Sequence, residues 1–201
     1  MNALLDLVWP PRCAACDTVT RDGALCPPCE ASVVSGTDHA CPRCGGVYLT
    51  PPPGGGDHTC GACLKSPPPW ARAVGAHAYG GALRDAIVRW KSGPDHTLSP
   101  ALVEIMTARV AEAGWDRLPP DTAIVPIPSP HHQLVRRGFN PAGLLARGLA
   151  QRLGRRLVLG LHLNRPKGSS RGLGRARRAR RMQGAFRAHP ARLRGAPVLL
   201  V

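Results

Sequence analysis

The sequence predicts an α/β protein in two parts: a small, turn-dominated, cysteine-rich module over residues 1–66, then a parallel sheet with helices over residues 67–201. Three observations predict this. All eight cysteines fall before residue 64. Ser66-Pro67-Pro68-Pro69 follows, and consecutive prolines join neither a helix nor a central strand, so they read as a hinge. Beyond them, short apolar runs alternate with helical patterns, as in strands joined by crossover helices.

The first part contains one repeat, the Cys-x-x-Cys unit, four times: Cys13/Cys16, Cys26/Cys29, Cys41/Cys44 and Cys60/Cys63. Thr50 to Gly56 is an extended polar insert within it. In the second part, Val74 to Tyr79 reads as a short strand. Leu83, Ile87 and Trp90 share a helical face with Ala86 beside them, which predicts a helix from Gly81 to Lys91. Ser99 with Pro100 at the first helical position starts a helix to Ala113. Ala123 to Ile127 is an apolar run bounded by prolines and reads as a buried strand. Pro141 opens a helix with Leu144, Leu145 and Leu149 on one side. Leu157 to Leu163 reads as a strand, Arg165 to Arg181 as a basic loop, and Val198 to Val201 as a buried strand.

The 201 residues suffice for one medium domain or two small ones. Net charge is +15 and unevenly spread. Residues 1–70 hold four Arg/Lys and six Asp/Glu, residues 71–201 hold 23 and six, and no acid follows Asp121. Such a stretch suits phosphate, on a nucleotide, a sugar or a nucleic-acid backbone; a solvated Arg-rich surface is the plainer alternative. The N-terminus lacks the basic flank and apolar length of a signal peptide. No window is long enough for a membrane span. The protein is therefore expected in the cytoplasm, where paired cysteines are better explained by metal than by disulfides.

A Cys-x-x-Cys turn aims two thiolates at one tetrahedral metal, and two turns complete a Cys₄ zinc site. Eight cysteines make two such sites. Sequential pairing, first unit with second and third with fourth, is favoured, although spacing also allows cross-pairing. Four thiolates leave no open position, so the zinc is expected to be structural and to replace the core that 66 turn-rich residues cannot build. A redox pair is the rival, but such pairs usually stand alone at a helix N-terminus. His39 and His58 read as bystanders.

Val125-Pro126-Ile127-Pro128 leads into His131-His132-Gln133-Leu134-Val135-Arg136-Arg137-Gly138-Phe139-Asn140, then a helix. A strand, a basic glycine-containing turn and a helix N-terminus form an anion site, because backbone N–H groups and the helix dipole face the anion. Here the chain resembles the ComF/GntX family. The resemblance rests on blocks spread over nearly the whole chain: Trp9-Pro10-Pro11-Arg12-Cys13-x-x-Cys16; Cys60-Gly61-x-Cys63 with Pro67-Pro68-Pro69-Trp70; Tyr79-x-Gly81-x-Leu83-Arg84 to Lys91; Val125-Pro126-Ile127-Pro128; Arg136-Arg137-Gly138-Phe139-Asn140; and Gly172-Leu173-x-Arg175-Ala176-x-Arg178 to Gly184-Ala185-Phe186.

The resemblance implies a double zinc-ribbon-like module over 1–66, joined to an incomplete type I phosphoribosyltransferase-like domain over 67–201. It implies that Arg136, Arg137, Gly138, Phe139 and Asn140 belong to the turn that receives pyrophosphate. Residues 165–183 would form a loop closing over the site, with Arg175 and Arg178 as its phosphate contacts, and Lys91 would end a hood-like helix. The implied ligand of the complete protein is phosphoribosyl pyrophosphate (PRPP), or another phosphorylated ligand, with Mg²⁺ accompanying PRPP. The resemblance also implies competence proteins and DNA uptake as the setting. The family usually has Gln at the positions of Pro141 and Ser170, an acid near Arg177 and Asn near Arg181. In the family a strand like Val198 to Val201 runs into Asp-Asp and a Thr-Thr-Gly turn that hold the ribose and its phosphate. The sequence stops before them, so a fragment inactive as a transferase is expected, with its last strand an unprotected edge. Whether the chain is an enzyme is left open. The alternative function is a non-catalytic, zinc-dependent protein that binds single-stranded nucleic acid through phosphates, with strong salt dependence.

Overall fold

A computed structural model of the chain describes residues 10–20, 24–33, 39–48, 58–93, 96–164, 172 and 174–201. The insert at 50–56, Trp9, and residues 165–171 and 173 of the basic loop lie outside them. Two compact units emerge, Met1–Asp116 and Arg117–Val201. The division falls well beyond the triple proline, because the helices that follow the prolines pack into the same unit as the cysteines.

In the first unit, short helices α1 (Pro27–Ala31) and α2 (Gly61–Lys65) each follow a cysteine that stands in extended backbone at the N-cap. Helix α3 (Gly81–Trp90) buries Leu83, Ala86 and Trp90, the predicted face. It packs on α1 and on α4 (Leu98–Glu112), which buries Leu98, Leu102, Val103 and Val110. The Trp90 indole N–H donates to Ser99 Oγ at 2.9 Å. That bond takes Ser99 away from capping, and the helix begins two residues earlier than predicted, after Thr97. Residues 74–79 form no strand.

The prolines are not a free hinge. Arg43, inside the third Cys-x-x-Cys turn, donates through Nη2 to Pro68 O and through Nη1 to Ala71 O, both at 3.1 Å. The Trp70 indole donates back to Arg43 O at 2.9 Å. Three bonds latch the linker to the cysteine turn, a long-range contact that local composition does not encode.

The second unit is built on a parallel sheet of order β2-β1-β5. Its centre is β1 (Ala123–Val125), wholly buried. β2 (Arg156–Leu157) lies on one side and β5 (Val198–Leu200) on the other, with Ile124 opposite Leu157 and Leu199. Helix α5 (His131–Arg137) follows β1, and α6 (Pro141–Leu153) crosses over to β2, packing on both strands. Ala146 and Leu149 on α6 are fully buried. β5 buries only Leu199, leaving Val198 and Leu200 exposed, so it alternates rather than being buried throughout as expected.

The predicted strand over 157–163 is two strands in two sheets. After β2 the chain turns, and β3 (Leu161–Leu163) pairs antiparallel with β4 (Phe186–Ala188). Gly160 is the turning point: a Cβ there would stand 2.5 Å from Leu193 Cδ2. Leu193 ends α8 (Pro190–Leu193) and packs on the cluster of Ala123, Val125 and Val158. The basic loop is in part a helix, α7 (Arg175–Met182). No helix among the described residues is long and apolar enough to cross a membrane.

Candidate functional sites

The cysteines gather in two groups, Cys13/Cys16/Cys26/Cys29 and Cys41/Cys44/Cys60/Cys63, with all sulfurs of a group within 4.8 Å of one another. The pairing is sequential. None of the eight is in a disulfide, and neither group includes a histidine. The His58 ring stacks on Tyr48 at 4.6 Å, and the Tyr48 hydroxyl donates to His58 O.

The two groups are built alike. Cys13 N–H donates to Thr18 O and Asp17 N–H to Cys13 O; in the second copy Cys41 N–H donates to Gly46 O and Gly45 N–H to Cys41 O. Arg12 bridges Val19, and Ala40 bridges Val47. Each turn closes through a residue with positive φ, Asp17 at 67° and Gly45 at 70°. Asp17 bears that strain and also pairs with Arg89 of α3 at 2.9 Å.

A zinc ion with four sulfurs at about 2.3 Å sets neighbouring sulfurs about 3.8 Å apart. Cys16 and Cys26 sulfurs lie 3.6 Å apart, Cys44 and Cys60 sulfurs 3.9 Å. The protonation states also fit a metal. Burial opposes ionisation of Cys13, yet backbone N–H groups at Cys16, Cys26 and Ala15 bring it down to about 6. Backbone bonds at Cys60, Cys44 and Arg43 do the same for Cys41 against burial, again to about 6. The neighbouring Cys26 sulfur pushes Cys29 up to about 12, and burial pushes Cys63 there. A doubly charged cation relieves the sulfur–sulfur repulsion and makes all four thiolates.

The second candidate region is the carboxyl end of β1. The strand order reverses about β1, with β2 on one side and β5 on the other, and crevices at such reversals receive ligands in open α/β sheets. The ladder continues past the strands, with Val201 N–H to Val125 O at 3.0 Å and Ile127 N–H to Val201 O at 2.8 Å. Pro126, Pro128 and Pro130 lack N–H groups, so this segment offers an anion few backbone donors.

The Arg-Arg-Gly-Phe-Asn block is not the simple turn expected. Residues 131–137 are helix α5, and the block joins α5 to α6. Gly138 ends α5 at φ 80°, a left-handed cap that favours glycine. Phe139 is buried and anchors the junction. Asn140 stands at the N-cap of α6, but its side chain does not cap. Its amide donates to Ile127 O at 3.0 Å and its carbonyl accepts from Ser129 Oγ at 2.9 Å. Asn140 thus braces the proline segment, and its side chain does not cap the first-turn N–H groups of α6, at Ala142 and Gly143. Arg136 is exposed and Arg137 half-buried at the end of α5.

The structure therefore brings together five of the predicted phosphate residues, 136–140. Lys91 ends α3 as predicted, but in the other unit. Arg175 opens α7, and Arg178 is exposed on it. The sequence reading missed Ser129, whose pairing with Asn140 spans eleven residues and leaves no local signal.

A family model described as "Double zinc ribbon domain" matches residues 4–69. The chain is 34% identical over 115 residues to DNA utilization protein YhgH of Salmonella typhi, covering 57% of this chain and 48% of that protein. It is 30% identical over 143 residues to the protein of that name in Escherichia coli strain K12, covering 69% and 53%. It is 32% identical over 93 residues to Competence protein F of Haemophilus influenzae, covering 46% and 41%. The chain belongs to the ComF family. It spans about half the length of the ComF-family relatives it matches. No solved structure matches it.

Proposed function

We propose that the chain serves DNA uptake and utilization by binding phosphorylated ligands in the crevice at the carboxyl ends of β1 and β5, with its zinc ions structural. The observation that carries this reading is the junction at 136–140. It sets two arginines beside a 13-residue helix whose first N–H groups are not capped by Asn140, at the point where the strand order reverses. The names of the relatives support the DNA setting, and family resemblance makes PRPP with Mg²⁺ the reference ligand class. Zinc, bound by the eight cysteines, supplies fold stability and no chemical step.

Inorganic pyrophosphate tests the crevice directly. Calorimetric titration into the zinc-loaded chain should give saturable binding, weakened about tenfold by Arg136→Ala, the loss of a charge-assisted hydrogen bond. Absence of heat, or an unchanged affinity in the variant, would sink the reading.

A second reading, binding of single-stranded DNA, is favoured by the charge distribution. Residues 1–116 hold nine Arg/Lys and eleven acids, whereas residues 117–201 hold eighteen Arg/Lys and one acid. Helix α7 carries Arg177, Arg178, Arg180 and Arg181 on one side and Ala176, Ala179 and Met182 on the other, all exposed. Eight residues with like charges at i, i+3 and i+4 make a weak helix by themselves, and a polyanion would stabilise it. Binding of an oligothymidylate should fall steeply as salt rises from 50 to 200 mM; no binding at 50 mM refutes this reading.

A further inference from the structure

The two-stranded β3–β4 sheet carries a cluster that neither the zinc centres nor the crevice uses. His162 on β3 stands in register with Arg187 on β4. The ring of His189, the residue after β4, lies 4.5 Å from the His162 ring and is tilted by 41°. Arg192 on α8 donates to Leu159 O at 3.1 Å and acts on His189 together with His162 and Arg187. The Nδ1 atom of His162 is buried and has no hydrogen-bond partner. Asp121, the one acid among residues 117–201, is not among the groups acting on His189.

Two imidazoles could hold a metal ion, but two guanidinium groups beside them repel a cation. The same set attracts an anion: Arg offers forked donors, and each imidazole becomes a two-donor cation once protonated. A buried ring nitrogen without a partner is the place where a ligand oxygen gains most. We propose that His162, Arg187, His189 and Arg192 form a binding site for a dianionic phosphate group, on the two-stranded sheet rather than the sheet that bears the crevice.

Occupancy is linked to pH. Burial first, then the charges of His162, Arg192 and Arg187, holds His189 below its ordinary value. The empty site therefore opposes protonation, and a bound dianion favours it. By linkage, anion affinity rises as pH falls through the histidine range.

Sulfate, dianionic throughout that range, is the probe. The zinc-loaded full chain is titrated with sulfate at constant ionic strength, following the histidine Cε1–H resonances. Affinity should be about tenfold higher at pH 5.5 than at pH 7.5, one pKa unit of linkage, with the two ring signals shifting together. His189→Gln should reduce the pH dependence, leaving the part due to His162. Arg187→Gln, at an exposed position, should weaken binding severalfold with an unchanged circular dichroism spectrum, and it decides the matter if the histidine variant does not fold. Equal affinity at both pH values, or indifference to Arg187→Gln, overturns the site. Oligothymidylate with and without a 5′-phosphate separates the sources. Tighter binding of the phosphorylated strand at pH 6.5, where a terminal phosphate is mostly dianionic, lost in Arg187→Gln, assigns the site to a terminal phosphate; no difference assigns it to free phosphate. The crevice variant Arg136→Ala should leave the sulfate response intact, so this site and the crevice fail or stand separately.

Discussion

Arg43 does more than fill the space between two zinc ligands. Its guanidinium holds Pro68 and Ala71 carbonyls, while its own carbonyl receives Trp70. Arg43→Ala should therefore destabilise the zinc-loaded chain by about 1.5–3 kcal/mol, the range for hydrogen bonds to a charged group, with zinc content unchanged. Urea denaturation with parallel metal analysis checks this; loss of zinc with no loss of stability would show that Arg43 serves the metal instead of the linker. Asn140 teaches a related lesson. The sequence marks it as part of a phosphate block, and it does stand at the helix entrance. Yet its side chain is spent on Ile127 and Ser129, so its influence on a ligand runs through the backbone it braces.

At the scale of elements, the two cysteine turns behave as one motif used twice. Each has one thiol brought down to about 6 and one pushed up to about 12. Cys13 and Cys41, depressed in the fold, contribute stability that is present above the unfolded thiol range and is lost as pH falls toward 6. Cys29 and Cys63 must give up protons to a metal. Zinc uptake at pH 7 should therefore release protons, and zinc affinity should fall as pH falls. Competition with a chromophoric chelator between pH 8 and pH 5.5 measures this; an affinity independent of pH contradicts thiolate ligation. The cysteine pattern was legible because chelation is local: each turn sets its own two sulfurs. Helices α3 and α6 were legible from their apolar spacing. Helices α5 and α7 were not. The first is only seven residues long, and the second has no buried face, so neither leaves a periodic stripe. The break between β2 and β3 was hidden because its cause, Leu193 against Gly160, lies thirty-three residues away in sequence.

For the whole molecule, charge follows architecture. The unit that holds the cysteines is nearly neutral, while the unit with the parallel sheet carries almost all the excess of arginine. That separation was partly visible in sequence, but the boundary was not, because α3 and α4 join the cysteine unit through tertiary packing. One unit holds both groups of four cysteines, and the proposed phosphate crevice lies in the other. The most direct test maps pyrophosphate onto the backbone amides of the zinc-loaded chain by two-dimensional NMR. The account predicts that the largest shifts fall in residues 126–143 and at Val201, with Ala142 and Gly143 prominent. Shifts confined to α7, or spread evenly over the arginine-rich surface, would contradict a phosphate site at the strand-order reversal.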